Sequence, residues 1–72
     1  MSPEELGRLV RAERRRQRLR QAELAALAGV GNRFLSDLEN GKPTVEIGRA
    51  VQILTMLGLK LEVGRRGWSD LE

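Results

Sequence analysis

The 72-residue sequence contains no cysteine and no histidine, and only two of its residues are aromatic. Without cysteine, no disulfide or thiolate zinc site can stabilise the fold, and without histidine the usual nitrogen ligands for metals are missing as well. The two aromatic residues, Phe34 and Trp68, cannot build a core by themselves. The core must therefore come from leucine, alanine, valine and isoleucine, packed within one chain or between two copies of it.

The same absences argue against catalysis. An enzyme needs a nucleophile, a general base or a metal ion, and the side chains left for these roles are Ser2, Ser36, Ser69 and a few carboxylates. None of them forms a recognisable catalytic constellation. We therefore predict that the protein is not an enzyme and needs no cofactor or metal.

Long apolar runs are missing too. No stretch approaches the roughly 20 residues that a membrane span requires, and the first residues lack the apolar region of a signal peptide. We expect a cytoplasmic protein that has no membrane partner.

Positive charge, by contrast, is abundant and unevenly distributed. Residues 1–20 carry seven arginines against three glutamates, whereas the rest of the chain is nearly balanced. A basic segment in an otherwise neutral domain favours a polyanionic partner such as a nucleic acid. A solvated basic helix face would give the same composition, so charge alone does not separate the two interpretations.

Apolar spacing predicts three helices in the first part of the chain. Ser2 suits a helix cap and Pro3 the first helical position, and the periodicity that follows continues to about Gln17. Two shorter helices are predicted over 21–28 and 32–39, separated by a glycine-containing turn.

The second part of the chain predicts one more helix and a strand. The fourth helix should begin with Thr44 as its cap and end at Gly58, and its apolar stripe comprises Ile47, Ala50, Val51, Leu54 and Leu57. Residues 59–63 then alternate apolar and polar side chains, as a strand does. The tail over 64–72 has little pattern and is expected to be mobile.

The segment over 21–41 carries the most specific signal. Two short helices joined by a tight glycine turn must cross steeply, and the small side chain of Ala25 lets their backbones approach. In that arrangement the second of the two helices can project from the surface and enter the major groove of DNA. A generic helical hairpin would have the same spacing.

Two strings within this segment point to a known family. The string Q-A-E-L-A-x-x-A-G-V, followed by L-S-x-L-E-N-G, resembles the lambda-repressor-like (Xre-type) helix-turn-helix family. The basic first helix, the string L-E-N-G-K-P-T and the string L-G-L-K-L-E-V are further similar to HipB-like antitoxins. These are small bacterial repressors encoded beside HipA-like toxin kinases.

The resemblance implies an all-α domain of four to five helices that dimerises on palindromic double-stranded DNA. It also implies a C-terminal strand that pairs with its counterpart in a homodimer. The residues support this point independently, because one isolated strand cannot satisfy its own backbone and no second strand is predicted. We therefore expect a domain over 1–63 in which Leu59, Leu61 and Val63 lie over helix 4 at the dimer interface. The alternative is an extended tail packed on its own core.

The resemblance also implies which residues contact DNA. Base contacts are expected at the start of the third helix and one turn on, from Asn32, Arg33, Ser36 and Asp37. Asparagine pairs well with adenine and arginine with guanine, while Asp37 could either accept from cytosine or orient Arg33. Backbone phosphates are expected to be bound by Gln21, Arg18, Arg20, Asn40 and Lys42.

Other residues are expected to have structural roles. The resemblance implies a partly buried salt bridge between Arg14 and Glu39, which would join the first and third helices. Phe34 is expected to pack against the core rather than to wedge between bases. The remaining arginines of helix 1 are assigned to a solvated face: Arg8, Arg11, Arg15 and Arg16.

Three functions follow from the resemblance. The first is an autorepressing, nucleoid-associated antitoxin of a type II toxin–antitoxin operon that neutralises a HipA-like toxin kinase. The second is a stand-alone repressor or controller protein with no toxin partner. The third is a protein-interaction module that mainly masks a toxin, with DNA binding secondary.

Overall fold

Four helices make up the fold in the computed structural model, which describes residues 1–65. They are α1 (Pro3–Arg16), α2 (Gln21–Ala28), α3 (Asn32–Glu39) and α4 (Ile47–Met56). This architecture confirms the prediction of an all-α domain with four helices. Residues 66–72, which include Trp68 and most of the expected tail, lie outside the described residues.

Helix α1 begins as its sequence predicts. The Ser2 hydroxyl accepts a hydrogen bond from the Glu5 backbone N–H at 3.1 Å, and Pro3 occupies the first helical position. The helix ends before Arg18, whose φ of 60° lies in the left-handed region that a non-glycine residue seldom adopts. The chain therefore turns sharply between α1 and α2.

Helices α2 and α3 form the predicted helix-turn-helix. Gly29 ends α2 with a φ of 70°, a conformation that glycine adopts without steric cost. Ala25 is buried, and Leu24 and Leu35 are fully buried in the core. The start of α3, with Asn32 and Arg33, is left exposed.

One close approach fixes how α1 sits on α3. Gly7 is buried, and a Cβ atom at this position would lie 2.5 Å from the Leu38 carbonyl oxygen and 2.6 Å from that of Glu39. The backbones therefore meet where only glycine fits, and this places the end of α3 directly beside the middle of α1.

The start of α4 differs from the prediction. Thr44 is exposed and lies outside the helix, and the cap is Glu46, whose carboxylate accepts from the backbone N–H groups of Gly48 at 2.9 Å and Arg49 at 3.3 Å. A carboxylate suits this position because it also faces the positive end of the helix dipole. The choice of Thr44 was therefore wrong by two residues.

The apolar stripe of α4 is only partly buried. Ala50, Leu54 and Leu57 are in the core as expected, together with Ile53, but Ile47 is 67% exposed and Val51 is 39% exposed. Within residues 1–65, these two side chains therefore stay exposed on one edge of α4.

The predicted strand is not formed within residues 1–65. Leu59 packs against the core, and its backbone N–H bonds to the Leu54 carbonyl at 2.8 Å, which closes the end of α4. Leu61 and Val63 are 43% and 93% exposed, so they do not lie buried over helix 4 in the single chain. A strand requires hydrogen bonds from a neighbouring strand, and none exists in the described part of this chain.

The described helices include none that combines the length and apolar character required to cross a membrane.

Candidate nucleic-acid interface

Helix α3 has one buried side and one exposed side. Leu35, Leu38 and Glu39 point into the fold, whereas the opposite side, which we call the outer face, carries Arg33 and Asp37, with Asn32 and Asn40 exposed at its two ends. The Arg33 side chain is 88% exposed, and the Asp37 side chain is 25% exposed. Ser36 is half-buried at the edge of this face.

Asp37 lies between two cations on the outer face. Its carboxylate is 3.4 Å from Arg33 Nε, one helical turn earlier, and 3.5 Å from Lys42 Nζ in the following loop. Both distances are long for ion pairs, and both cations are more than half exposed. The structure thus places Asp37 between Arg33, which is expected to contact a base, and Lys42, which is expected to bind a phosphate.

Beneath the outer face, Arg14 and Glu39 form a bidentate pair. Arg14 Nε donates to Glu39 Oε2 at 2.6 Å and Arg14 Nη2 donates to Glu39 Oε1 at 3.0 Å, while Nη1 donates to the Leu19 carbonyl at 2.9 Å. Burial by itself would raise the pKa of Glu39, but the hydrogen bonds, chiefly those from Arg14 and Gln21, lower it below the ordinary range. Glu39 is therefore a carboxylate that holds α1, α2 and α3 together.

Two further residues reach the same carboxylate. The Gln21 side-chain amide donates to Glu39 Oε1 at 3.2 Å, which leaves its second N–H for another acceptor such as a phosphate. Arg11 Nε lies 3.3 Å from Glu39 Oε1, and its Nη2 donates to Asn40 Oδ1 at 3.3 Å. The assignment of Arg11 to a purely solvated face was therefore wrong, because its guanidinium links α1 to the end of α3.

The bend between α1 and α2 presents the other expected phosphate ligands. Arg18 and Arg20 are both exposed, and the Arg20 backbone N–H is held by the Glu23 carboxylate at 2.7 Å. The side chains therefore remain on the surface next to Gln21.

Phe34 packs against the core from the edge of α3, as expected. The guanidinium carbon of Arg49, on the first turn of α4, lies 6.0 Å from the centre of its ring. The sequence predicts no role for Arg49. The sequence carries no signal for this contact, because Phe34 and Arg49 lie on different helices and far apart in the chain.

Gln17 was also missed. Its side-chain amide donates to the Leu57 carbonyl at 2.7 Å and so ties the end of α1 to the end of α4. Sequence periodicity carries no signal for such a bond, because its acceptor is a backbone atom 40 residues away.

The arrangement as a whole suits binding rather than reaction. It offers arginine, lysine and amide donors around a protruding helix, a set that matches phosphate oxygens and base edges. Within residues 1–65, no group of three or more acidic residues is placed to hold a metal ion.

Comparison with known proteins finds a matching family and relatives of similar sequence. The family described as a helix-turn-helix domain matches residues 5–66. The chain is 52% identical over 62 residues to the uncharacterized HTH-type transcriptional regulator y4mF of Sinorhizobium fredii, covering 86% of this chain and 82% of that protein. It is 33% identical over 58 residues to the ImmF control region 10 kDa protein of Bacillus phage phi105, covering 81% of this chain and 64% of that protein. The chain therefore belongs to the helix-turn-helix domain family of DNA-binding transcriptional regulators, which are not enzymes.

Proposed function

We propose that this regulator is a sequence-specific repressor that binds a palindromic operator as a homodimer through the outer face of α3. The observation that carries the proposal is the exposure of Asn32 and Arg33 on the first turn of a projecting helix. The first residues of a recognition helix are those that reach base edges in the major groove. Arg33 presents the bidentate donor pair that guanine accepts, and Asn32 presents the amide that adenine accepts.

The remaining polar residues divide between bases and phosphates. Ser36 and Asp37 lie one turn further along and make secondary base contacts. Gln21, Arg18 and Arg20 bind the backbone on one side of α3, and Asn40 and Lys42 bind it near the end of the helix. Phosphate contacts of this kind fix the register of the protein without reading sequence.

The homodimer is supported by apolar side chains that the single chain leaves exposed. Residues 59–63 have the alternating pattern of a strand but no partner strand in the described part of the chain, and Val63 is 93% exposed. Ile47 and Val51 on α4 are further apolar side chains that remain exposed and that a second copy of the chain could cover. Pairing of 59–63 with its copy across a two-fold axis would satisfy the backbone groups and cover Leu61 and Val63.

Selection from a pool of random DNA duplexes tests this function. The wild-type protein should enrich a palindrome whose half-site centres are about one helical turn, roughly 34 Å, apart. Arg33→Ala should then cost about 1–3 kcal/mol on that palindrome and relax one base position, whereas Lys42→Ala should weaken all sequences alike and reduce the salt slope by about one. Failure to enrich any sequence, or equal losses on selected and random DNA for both variants, would contradict the proposal.

We further propose that the repressor is the antitoxin of a toxin–antitoxin operon and binds a HipA-like toxin kinase. The proposal is supported by the similarity to HipB-like antitoxins, which extends beyond the helix-turn-helix to Val63. Coexpression with the product of the adjacent gene tests it: a kinase that copurifies, and whose toxicity this chain relieves, is the expected result. An adjacent gene that encodes no such kinase favours the stand-alone repressor. Relief of toxicity that survives Arg33→Ala identifies toxin masking as a function separate from operator binding.

A further inference from the structure

Arg49, at the start of α4, has one neighbour on α3 and one at the cap of its own helix. Its guanidinium carbon lies 6.0 Å from the centre of the Phe34 ring, and its Nε lies 3.6 Å from Glu46 Oε2. The side chain is nevertheless 61% exposed. These neighbours place the guanidinium beside α3 while most of it stays accessible, so Arg49 can bind an anion that approaches α3.

The contact with Phe34 shows where Arg49 lies relative to the outer face. Phe34 directly follows Arg33 and precedes Asp37 by three residues, so its side chain lies about 60° around α3 from that of Asp37. Lys42 contacts Asp37 on that same side. Gln21 contacts Glu39, whose buried side chain projects about 160° around α3 from that of Asp37. Arg49 and Lys42 therefore flank α3 on one side, and Gln21 flanks it on the other.

The dimensions of DNA indicate what residues on the two sides of α3 can contact. The major groove is about 12 Å wide, and a helix with its side chains is about 10–12 Å in diameter. A helix that fills the groove brings the groups on its two sides close to the two phosphate backbones. We infer that Arg49 binds a backbone phosphate on the Lys42 side of α3, opposite the strand that Gln21 reaches. This inference rests on the proposed DNA-binding mode.

Glu46 is compatible with that role. Its carboxylate caps α4 by accepting from the backbone N–H groups of Gly48 and Arg49, so it stays at the helix end while it also approaches Arg49 Nε. The guanidinium has five N–H donors, and only one of them lies on Nε. The donors on the other two nitrogens can face the phosphate while Glu46 and Phe34 set the direction of the side chain.

The test compares Arg49→Gln with Arg16→Gln on the duplex selected by the wild-type protein. Arg16 is a matched control: it is also an exposed arginine paired with a glutamate three residues earlier, Glu13, and it projects from α1 away from α3. Arg49→Gln should weaken operator binding about tenfold and make the salt slope shallower by about 0.9 for each half-site. Arg16→Gln should leave both values close to those of the wild type.

Two variants then separate contact from folding. Arg49→Lys keeps a positive charge and should recover part of the affinity, although a lysine cannot copy the fork of donors. Phe34→Leu should weaken binding several-fold in the wild type but add little in the Arg49→Gln background, because the ring acts through Arg49. Thermal melts of each variant report any general loss of folding.

Equal affinities and salt slopes for Arg49→Gln and Arg16→Gln would overturn the inference while leaving the proposed function intact. Additive losses from Phe34→Leu and Arg49→Gln would overturn the positioning role of the ring. If the wild-type protein selects no sequence and binds DNA no more tightly than a neutral control protein, the proposed function fails and this inference fails with it.

Discussion

Arg14 and Glu39 form a two-point ion pair, with 2.6 Å between Arg14 Nε and Glu39 Oε2, that joins α1 to α3 beneath the outer face. The Glu39 side chain is fully buried and that of Arg14 is 10% exposed. Because α3 is only eight residues long, its position depends on such contacts more than on its own helical stability. The pair therefore connects the stability of the domain to the orientation of the helix that is proposed to read DNA.

Replacing Glu39 with glutamine should destabilise the protein strongly. The substitution keeps the shape of the side chain but leaves the buried Arg14 guanidinium without a counter-charge, which costs roughly 3–5 kcal/mol of unfolding free energy. Urea unfolding followed by circular dichroism measures this change. Glu62→Gln is the matched control, since Glu62 pairs with Lys60 on the surface, and its unfolding free energy should stay within about 0.5 kcal/mol of the wild type. Similar values for the two variants would contradict a stabilising role for the pair.

The same carboxylate predicts how stability depends on pH. The pKa of Glu39 is lower in the folded protein than its ordinary value, so the unfolded chain takes up a proton at a pH where the folded chain does not. This contribution to the unfolding free energy is present at neutral pH and is lost as the pH falls below about 4.3 toward the folded pKa. Unfolding free energies measured between pH 7 and pH 3 should therefore decrease less steeply in Glu39→Gln than in the wild type. Parallel curves would show that other acids cause the acid lability.

Gly7 should tolerate no side chain. An alanine Cβ would lie 2.5 Å from the Leu38 carbonyl oxygen, and two backbones would have to separate to relieve the clash. We expect Gly7→Ala to cost about 1–3 kcal/mol, as overpacking does. Gly64→Ala makes the same chemical change where nothing lies within 4 Å, and it should cost less than about 0.5 kcal/mol. Equal melting temperatures for the two variants would show that α1 and α3 can move apart without cost.

The sequence predicts the helices because apolar periodicity and capping act within a few residues. The helix starts at Pro3, Gln21 and Asn32 agree with the prediction for that reason. The start of α4 was misplaced because both Thr44 and Glu46 can cap, and only the path of the preceding loop decides between them. The prediction that Ile47 and Val51 are buried failed for another reason: periodicity identifies an apolar face of a helix but does not show what covers that face.

Long-range contacts within the candidate site were harder to predict. The Arg14–Glu39 pair was inferred only through the family resemblance, since nothing in residue spacing joins positions 25 apart. Arg11 and Arg49 were missed because a charged residue on a helix surface has the same local pattern whether it is solvated or bridges to another element. Gly7 gives no signal either, because a close backbone approach becomes visible only when both helices are in place.

A substitution in residues 59–63 should change the oligomeric state of the protein. Val63 is 93% exposed in the single chain, so Val63→Glu should not disturb the fold, but in the proposed dimer it would place a charge in an apolar interface. We expect Val63→Glu to sediment as a monomer at concentrations where the wild type is a dimer. Lys60→Gln, which changes a residue pointing away from that interface, should remain dimeric. A dimeric Val63→Glu would exclude pairing through residues 59–63.

Substitution of Asp37 should change the specificity of DNA binding rather than the stability of the fold. Its carboxylate lies within 3.5 Å of both Arg33 and Lys42, and a negative charge at this position also repels any phosphate that approaches without a favourable base contact. Asp37→Asn should therefore raise affinity for random DNA by about three- to tenfold and steepen its salt dependence, because both cations become free to bind phosphates.

Binding of the same variant to the selected palindrome separates the two roles left open for this acid. If Asp37 only orients Arg33 and limits random binding, Asp37→Asn should raise binding to random DNA without a matching gain on the palindrome, so that the ratio of specific to random binding falls. If Asp37 accepts a hydrogen bond from a cytosine amino group, one base position should also lose its preference, since the amide of asparagine is suited to adenine instead. Fluorescence anisotropy on the palindrome, on single-base variants of it and on random duplexes distinguishes these results. Unchanged affinity for random DNA would contradict both the repulsion of phosphate and the restraint of Arg33 and Lys42 by this carboxylate.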